Sequence, residues 1–414
     1  MALSLQNSSL MKHLKYFFAV IILSFSYSCS VDEGEVELRP KTMLDLVQES
    51  TNYTYLTYAI SKTGLSNTLS SNNANLTLFA PDDMAFGRFL MQNGFRSIDE
   101  IPVDLLKKVL LNHVLIEEVE YSKFETGYYN TAAEFVNETY TKNISMHVEQ
   151  VNMRITLNGE SMITRAVKAE NGIVHAVNRV VPLPTIVTFA KADKNLEILL
   201  AALTRPDLTA DFPSILSTDS ETSPAPFTVF APTNQAFVDL LQELGANSLN
   251  DIDEPTLKST LTYHVIAETV AAASDLSDNL ELETLGGTIT ANVTGGATIT
   301  DGNNRVSNII AVDIQADNGV IHVIDKVIFD NDNYYKLLDD YLECDGGVIV
   351  KIYDRDMVKK DYSEMGFSES EMIFENEVGD VVGINDLVCK LDVRDSRGAY
   401  SVFYDEDKNY LIEG

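Results

Sequence analysis

Leu78-Phe79-Ala80-Pro81-Asp82-Asp83-Met84-Ala85-Phe86 is answered later in the chain by Val229-Phe230-Ala231-Pro232-Thr233-Asn234-Gln235-Ala236-Phe237. Two further landmarks follow in the same order. Leu110-Leu111-Asn112-His113-Val114 returns as Leu261-Thr262-Tyr263-His264-Val265, and Asn171-Gly172-Ile173-Val174-His175 returns as Asn318-Gly319-Val320-Ile321-His322. The first two recur 151 positions on and the third 147 positions on, from His175 to His322. Three ordered landmarks with one small change of length mean a single domain written twice.

Each copy reads the same way locally. Leu76-Thr77-Leu78-Phe79 and Phe227-Thr228-Val229-Phe230 are short, β-prone runs ended by Ala-Pro, which predicts a buried strand stopping at a turn. Asp82 and Thr233 then suit a helix N-cap, where a side-chain oxygen accepts from the first free amides. Ala85, Phe86, Phe89 and Leu90, like Ala236, Phe237, Leu240 and Leu241, share one helical face that packs inward. A second helix begins near Pro102 or Pro255 and runs through Leu105, Leu106, Val109 and Leu110, or Leu257 and Leu261, towards His113 or His264. Alternating runs such as Arg154–Leu157, 288–291 and 297–300 are separated by Asn158-Gly159, Gly286-Gly287, Gly295-Gly296 and Asp301-Gly302 and read as hairpins. The closing strand is Gly172–Val177 or Gly319–Ile324, and the Asn-Gly before it is expected to supply a left-handed turn. Helices in the first half and antiparallel strands in the second make an α+β domain.

The chain has 414 residues, enough for two or three domains, and 45% of them are hydrophobic, enough for real cores. Against 30 Lys plus Arg stand 62 Asp plus Glu, a net charge of −32, which excludes a basic groove for nucleic acid. Contact with an anionic surface would need a bridging cation or a local positive patch, so divalent ions enter as candidate partners. With 21 Gly and 11 Pro the chain is neither collagen-like nor of low complexity.

The landmarks resemble the fasciclin domain family. Phe-Ala-Pro-x-x-x-Ala-Phe is similar to its first homology box and Asn-Gly-x-x-His to its second. Tyr263-His264 is similar to its Tyr-His motif, and Ala311-Val312-Asp313-Ile314, leading to Gly319, to its Asp-Ile motif. The resemblance covers about residues 41–330. It implies a β-wedge of about seven strands packed on helices, in extracellular proteins used for adhesion and for binding matrix or other partners. The first copy departs from the pattern, with Asn112 in place of the Tyr and Ala166-Val167 in place of Asp-Ile. The second copy is therefore the better binding candidate, and the residues carried over from the motifs are Asp313, Ile314, Tyr263 and His264. Their duller alternatives are a turn cap, core packing and gap filling.

At the other end of the chain, Lys12 to Lys15, the apolar run Tyr16–Tyr27 and Ser28-Cys29 make an export signal, with an uncleaved anchor as the alternative. The run is shorter than the ~20 residues of a spanning helix. Cys29 directly after it resembles the lipobox of bacterial lipoproteins, in the looser form of Bacteroidetes-type surface lipoproteins, although Leu is missing from its usual place. Asp32-Glu33-Gly34-Glu35 is similar to the acidic tag that sends some of those to the cell exterior. The expectation is a protein lipid-anchored at Cys29 in the outer membrane and facing outward. Cys344 and Cys389 are then most simply a disulfide, with two buried free thiols as the alternative.

Beyond the leader the histidines are His113, His147, His175, His264 and His322. The repeat pairs end an apolar helix or lie within an apolar strand, so His113, His175 and His322, with Gly172 and Gly319, are read as structural. No cysteine or Glu-x-x-His accompanies them, so no metal centre is expected, and no cofactor. No nucleophile elbow, Cys-x-x-Cys, His-Glu-x-x-His or phosphate loop occurs, and the chain reads as a non-enzyme. Asp301–Asn304 and Asp330–Asn333 offer oxygens that calcium takes but lack the twelve-residue loop spacing; they read as solvated turns, with calcium kept as a candidate partner.

The resulting expectation is α+β: a signal peptide at 1–28, a tether at 29–40, two tandem fasciclin-like β-wedge domains at 41–185 and 186–330, and a small β-rich C-terminal domain at 331–414. Its work is non-catalytic recognition of an extracellular protein, matrix or glycan, with the membrane touched through the lipid alone. The alternatives are an accessory subunit of an outer-membrane nutrient (glycan) capture system and a hydrolase with an unrecognised site in the C-terminal domain.

Overall fold

In the computed structural model the run Leu76–Pro81 is a strand, β1, buried along almost its whole length. Residues 40–329 are described, apart from 73, 139 and 245, together with the backbone of strands Glu343–Cys344, Val348–Ile349, Ile373–Glu375, Val381–Gly383, Cys389–Asp395 and Gly398–Tyr404. The signal peptide, Cys29, the tether up to residue 39, the Asp330–Asn333 turn and the side chains of Cys344 and Cys389 lie outside the described residues. Both copies belong to one compact unit that begins at Lys41.

Burial on both faces is what a continuous apolar strand requires. Helices α1 (Met43–Gln48), α2 (Thr54–Lys62) and α3 (Ser66–Ser70) precede β1, and α4 (Asp83–Gln92) and α5 (Val103–Asn112) follow it. They cover one face, where Leu78 and Ala80 meet Met43, Val47, Leu56, Phe86 and Leu106. Phe79 points the other way into a second core with Leu115, Phe124, Met146, Leu157 and Val177. That core is enclosed by β2 (Val114–Leu115), β3 (Gly127–Val136), β4 (Thr141–Val151), β5 (Arg154–Leu157), β6 (Ser161–Ala169) and β7 (Gly172–Val177). The expected caps form: Asp82 accepts from Ala85 N at 2.7 Å, and Thr233 accepts from Ala236 N at 3.2 Å. Leu105, expected on the inward face of α5, lies at its flank and is 39% exposed; Leu106, Val109 and Leu110 form the buried stripe.

The second copy repeats this with α6 (Ile186–Ala192), α7 (Glu197–Leu203), α8 (Phe212–Ile215), β8 (Phe227–Pro232), α9 (Asn234–Glu243) and α10 (Glu254–Tyr263). Its remaining strands are β9 (Val265–Ile266), β10 (Leu280–Thr284), β11 (Gly287–Asn292), β12 (Thr298–Thr300), β13 (Val306–Ala316) and β14 (Gly319–Ile324). The first copy closes into a barrel in the order β1 to β7, whereas the second is open, in the order β10-β11-β12-β13-β14-β8-β9. The ten-residue β3 pairs with β2 through Leu115 and Thr131, whereas the five-residue β10 meets β9 only just past its end, where Leu285 N donates to Val265 O at 2.8 Å.

In both copies the last strand lies parallel beside the first, Leu76 opposite Gly172 and Phe227 opposite Gly319. The strands approach so closely that a Cβ at Gly172 would stand 2.1 Å from Leu76 O, and one at Gly319 would stand 2.2 Å from Phe227 O. Within each Asn-Gly it is the glycine that takes the expected positive φ, +151° at Gly172 and +156° at Gly319; the preceding asparagines do not turn left-handed. Instead their buried amides act as staples. Asn171 Oδ1 accepts from Met43 N (2.9 Å) and Nδ2 donates to Leu69 O and Ser71 O (2.9 and 3.0 Å). Asn318 does the same with Ile186 N (3.0 Å), Leu216 O and Thr218 O (both 2.9 Å). Asn318→Ala would strand one amide and two carbonyls away from water and is expected to cost about 3 kcal/mol, read from the urea midpoint.

Candidate functional site

Of the four residues singled out for binding, three are enclosed and the fourth is engaged. Tyr263, at the end of α10, is 1% exposed. Its hydroxyl donates to Thr288 O at 2.7 Å and accepts from Gly302 N at 3.0 Å. Gly286 passes directly over it, since a Cβ there would stand 2.7 Å from Tyr263 N. The diglycine thus lets a hairpin close over the ring. In the first copy Asn112 fills the equivalent place and donates to Pro182 O at 3.1 Å.

His264 donates from Nδ1 to Thr260 O (2.7 Å), and its Nε2 accepts from Ile328 N (3.1 Å). His113 mirrors it with Val109 O (2.8 Å) and Val181 N (2.9 Å). Each ring ties a helix end to the segment leaving the last strand. Burial pushes both down to about 4, so in the folded domain they are neutral at pH values above that. His175 and His322 stack on Phe79 and Phe230 at 5.9 and 5.6 Å. Their Nε2 atoms donate to Val119 O and Ala271 O at 2.9 and 2.8 Å, and burial lowers both pKa values.

Asp313 and Ile314 sit where β13 bulges. Ala311 pairs with Val323 and Ile314 with Ile321, leaving two residues opposite His322, and Asp313 adopts φ +56°. Its N–H reaches His322 Nδ1 at 3.4 Å. In the first copy Ala166 pairs directly with His175, and His175 Nδ1 has no protein partner. Ile314 is 5% exposed and belongs to the helix-side core.

The Asp313 carboxylate faces the first copy. Oδ1 accepts from Ala273 N at 2.8 Å, and Oδ2 meets Lys142 Nζ on β4 at 3.2 Å. Beside it Gln315, wholly buried, donates its N–H to Ser145 Oγ (3.1 Å) and accepts from the Tyr140 hydroxyl (3.1 Å). Its amide nitrogen donates to Ala316 O and Gly319 O at 2.9 and 3.0 Å. Lys108 and Asp317 form a charge contact across the same line, and Asp317 N donates to Pro184 O at 2.7 Å. Burial and the Asp313 charge push Tyr140 up to about 12. At the far end Tyr128 packs edge-on to Phe189 at 5.3 Å, and its hydroxyl donates to Asp193 Oδ2 at 2.9 Å. The Asp-Ile motif is therefore part of the seam between the two copies.

Gln315, Tyr140, Ser145 and Tyr128 were not marked by sequence reasoning. Position 315 carried a signal, since the first copy has Lys168 at the same register position, opposite Ile173 as Gln315 is opposite Val320. As for calcium, Asp301 is 5% exposed, and its carboxylate accepts from Asn303 N, Arg305 N and Phe329 N at 2.9, 2.9 and 3.2 Å. Among the described residues no group of three or more His, Cys, Asp or Glu is placed to hold a metal ion.

A Fasciclin domain profile matches residues 51–184 and 194–330. The uncharacterized protein sll1735 of Synechocystis sp. is 36% identical over 147 residues, 35% of this chain and 98% of that protein. Transforming growth factor-beta-induced protein ig-h3 of Sus scrofa is 26% identical over 263 residues, 61% of this chain, and periostin of Homo sapiens is 27% identical over 265 residues, also 61%. The chain spans only 34% and 28% of the length of those two. A FAS1 domain pair from the insect cell adhesion molecule fasciclin I superposes with a TM-score of 0.41 and 17% identity, covering 67% of this chain and 96% of that one.

Two outcomes follow for stability. Gln315→Leu, which strands buried partners on both sides of the seam, should cost about 3 kcal/mol by urea denaturation, whereas Lys142→Ala, at a partly exposed pair, should cost under ~1 kcal/mol. Because His113 and His264 fall from an ordinary 6.5 to about 4 on folding, their contribution is whole above pH 6.5 and lost as pH drops towards 4. Each ring accounts for about 3 kcal/mol over that window, and the pH slope of the unfolding free energy should flatten in His264→Gln.

Proposed function

Since the chain belongs to the fasciclin domain family, with two copies at 51–184 and 194–330, we propose that it is a non-catalytic adhesion protein recognising an extracellular protein, matrix or glycan. The observation that carries this reading is what the motif residues do. The repeat histidines are enclosed and bonded to backbone, and Asp313 and Gln315 lock the two copies together, so the side chains with chemical capacity are used in building a firm pair of domains. A firm pair presents its outer surfaces at a set distance and angle, which suits recognition by area. The acidic surface, at a net charge of −32, favours neutral or cationic partners.

The export-like leader and Cys29 support placing the protein on the outer membrane, held by lipid and facing outward. Among the described residues no helix is long and apolar enough to cross a membrane.

Binding of residues 30–414 to immobilised glycans, matrix proteins and whole cells tests the proposal. Retained binding by Lys142→Ala and reduced binding by Gln315→Leu are expected if the docked pair is the recognition unit. Absence of binding across the panel, with turnover of a hydrolase substrate instead, would overturn it. Mass spectrometry of the membrane-extracted protein should find a diacylglyceryl group on Cys29.

A further inference from the structure

His147 has no counterpart in the second copy. It stands on β4, 1% exposed, and is pinned by its cross-strand neighbour: its N–H donates to Asn158 Oδ1, and its carbonyl accepts from Asn158 N, both at 2.8 Å. Tyr128 meets the ring edge-on at 5.0 Å, and this tyrosine enters the second copy, against Phe189 and onto Asp193. Gly159, next to Asn158, faces Ala192 of α6, which a Cβ would touch at 3.4 Å. Neither His147 Nδ1 nor Asn158 Nδ2 has a protein partner, although both atoms are buried.

We propose that His147 makes the seam respond to pH: with the ring neutral the two copies stay docked, and protonation releases the second copy from the Tyr128 side of the seam. An imidazolium here would be a cation shut away from water, with a ring donor that no group of the protein accepts. The charged groups that act on it are Asp193 from the second copy and Glu149 on β4 itself, the latter also facing the exposed Lys194, while Tyr128 against the ring is un-ionised. Burial lowers the pKa of His147, and Asp193 and Glu149, which favour the cation, do not cancel that effect. Ser145, two residues earlier on the same face of β4, meets Gln315 of the second copy, so it is docking that shuts His147 in; undocking exchanges that burial, which outweighs the pull of Asp193, for water, and the protonated ring is more stable in the undocked pair. The sign follows: a group depressed in the docked state supports docking fully above its ordinary 6.5 and withdraws that support as pH falls below it. The other buried histidines act on the folding of each copy from inside its own cores, whereas His147 acts on the contact between the copies.

Small-angle scattering and nuclear magnetic resonance on the protein of residues 30–414 test this. The radius of gyration should rise between pH 7.5 and 5.5 while far-UV circular dichroism is unchanged, and His147→Asn should abolish the rise. The His147 ring should titrate below 6.5, and Asp193→Asn, which removes a charge favouring the cation, should move its midpoint lower still. Wild-type dimensions that do not change with pH, an opening of His147→Asn equal to wild type, or a His147 midpoint at or above 6.5 would each overturn the proposal. Should His147→Asn fail to fold, wild-type scattering and the ring titration decide alone.

Discussion

A last strand that must lie parallel against the first is the constraint from which each copy is built. Parallel neighbours need a long crossover, and here the crossover is most of the domain, two helices and five strands between β1 and β7. The approach is tight enough that glycine is the one residue that fits at Gly172 and Gly319. The asparagine before each glycine then fastens the entry helices to the same point, so the beginning and end of the domain are held by one side chain. Burial of β1 on both faces follows, and with it the division into a helix-side core and a strand-side core.

The copies have diverged where they touch. One extra residue in β13 turns Asp313 into a left-handed position, where its N–H satisfies His322 and its carboxylate reaches Lys142. The first copy lacks the bulge, leaves His175 Nδ1 without a protein partner and carries Lys168, bonded to its own Glu118, where the second has Gln315. The same fold thus carries an interface on one copy and a solvent-facing ion pair on the other.

Much of this was legible before any coordinates. The doubled landmarks named the strands, the capped helices and the glycine turns, because each depends on local chemistry: an apolar run, a side-chain oxygen, a residue without Cβ. Roles that depend on distant partners were not legible. Tyr263 stood between a binding role and gap filling because nothing in Thr262-Tyr263-His264 shows that Gly286 will close over it. Asp313 looked like a ligand contact because the sequence does not state that β4, some 170 positions earlier, will bring Lys142 to it. The paired hairpin β3–β4, which supplies Tyr128, Tyr140, Ser145 and His147, lacks a repeat partner of equal length and so escaped the comparison of the two copies.

The parallel pairing of first and last strands has a mechanical side. Tension drawn along the chain reaches β1 at its start and leaves β7 at its finish, and these points lie at opposite ends of a ladder six residues long. Load of that geometry acts as shear, spread over every rung at once, where a hairpin pulled from one end would unzip rung by rung. Each copy is thereby wired as a clamp in line with the pull, and Asn171 and Asn318 are the pins through which the entry helices share the strain.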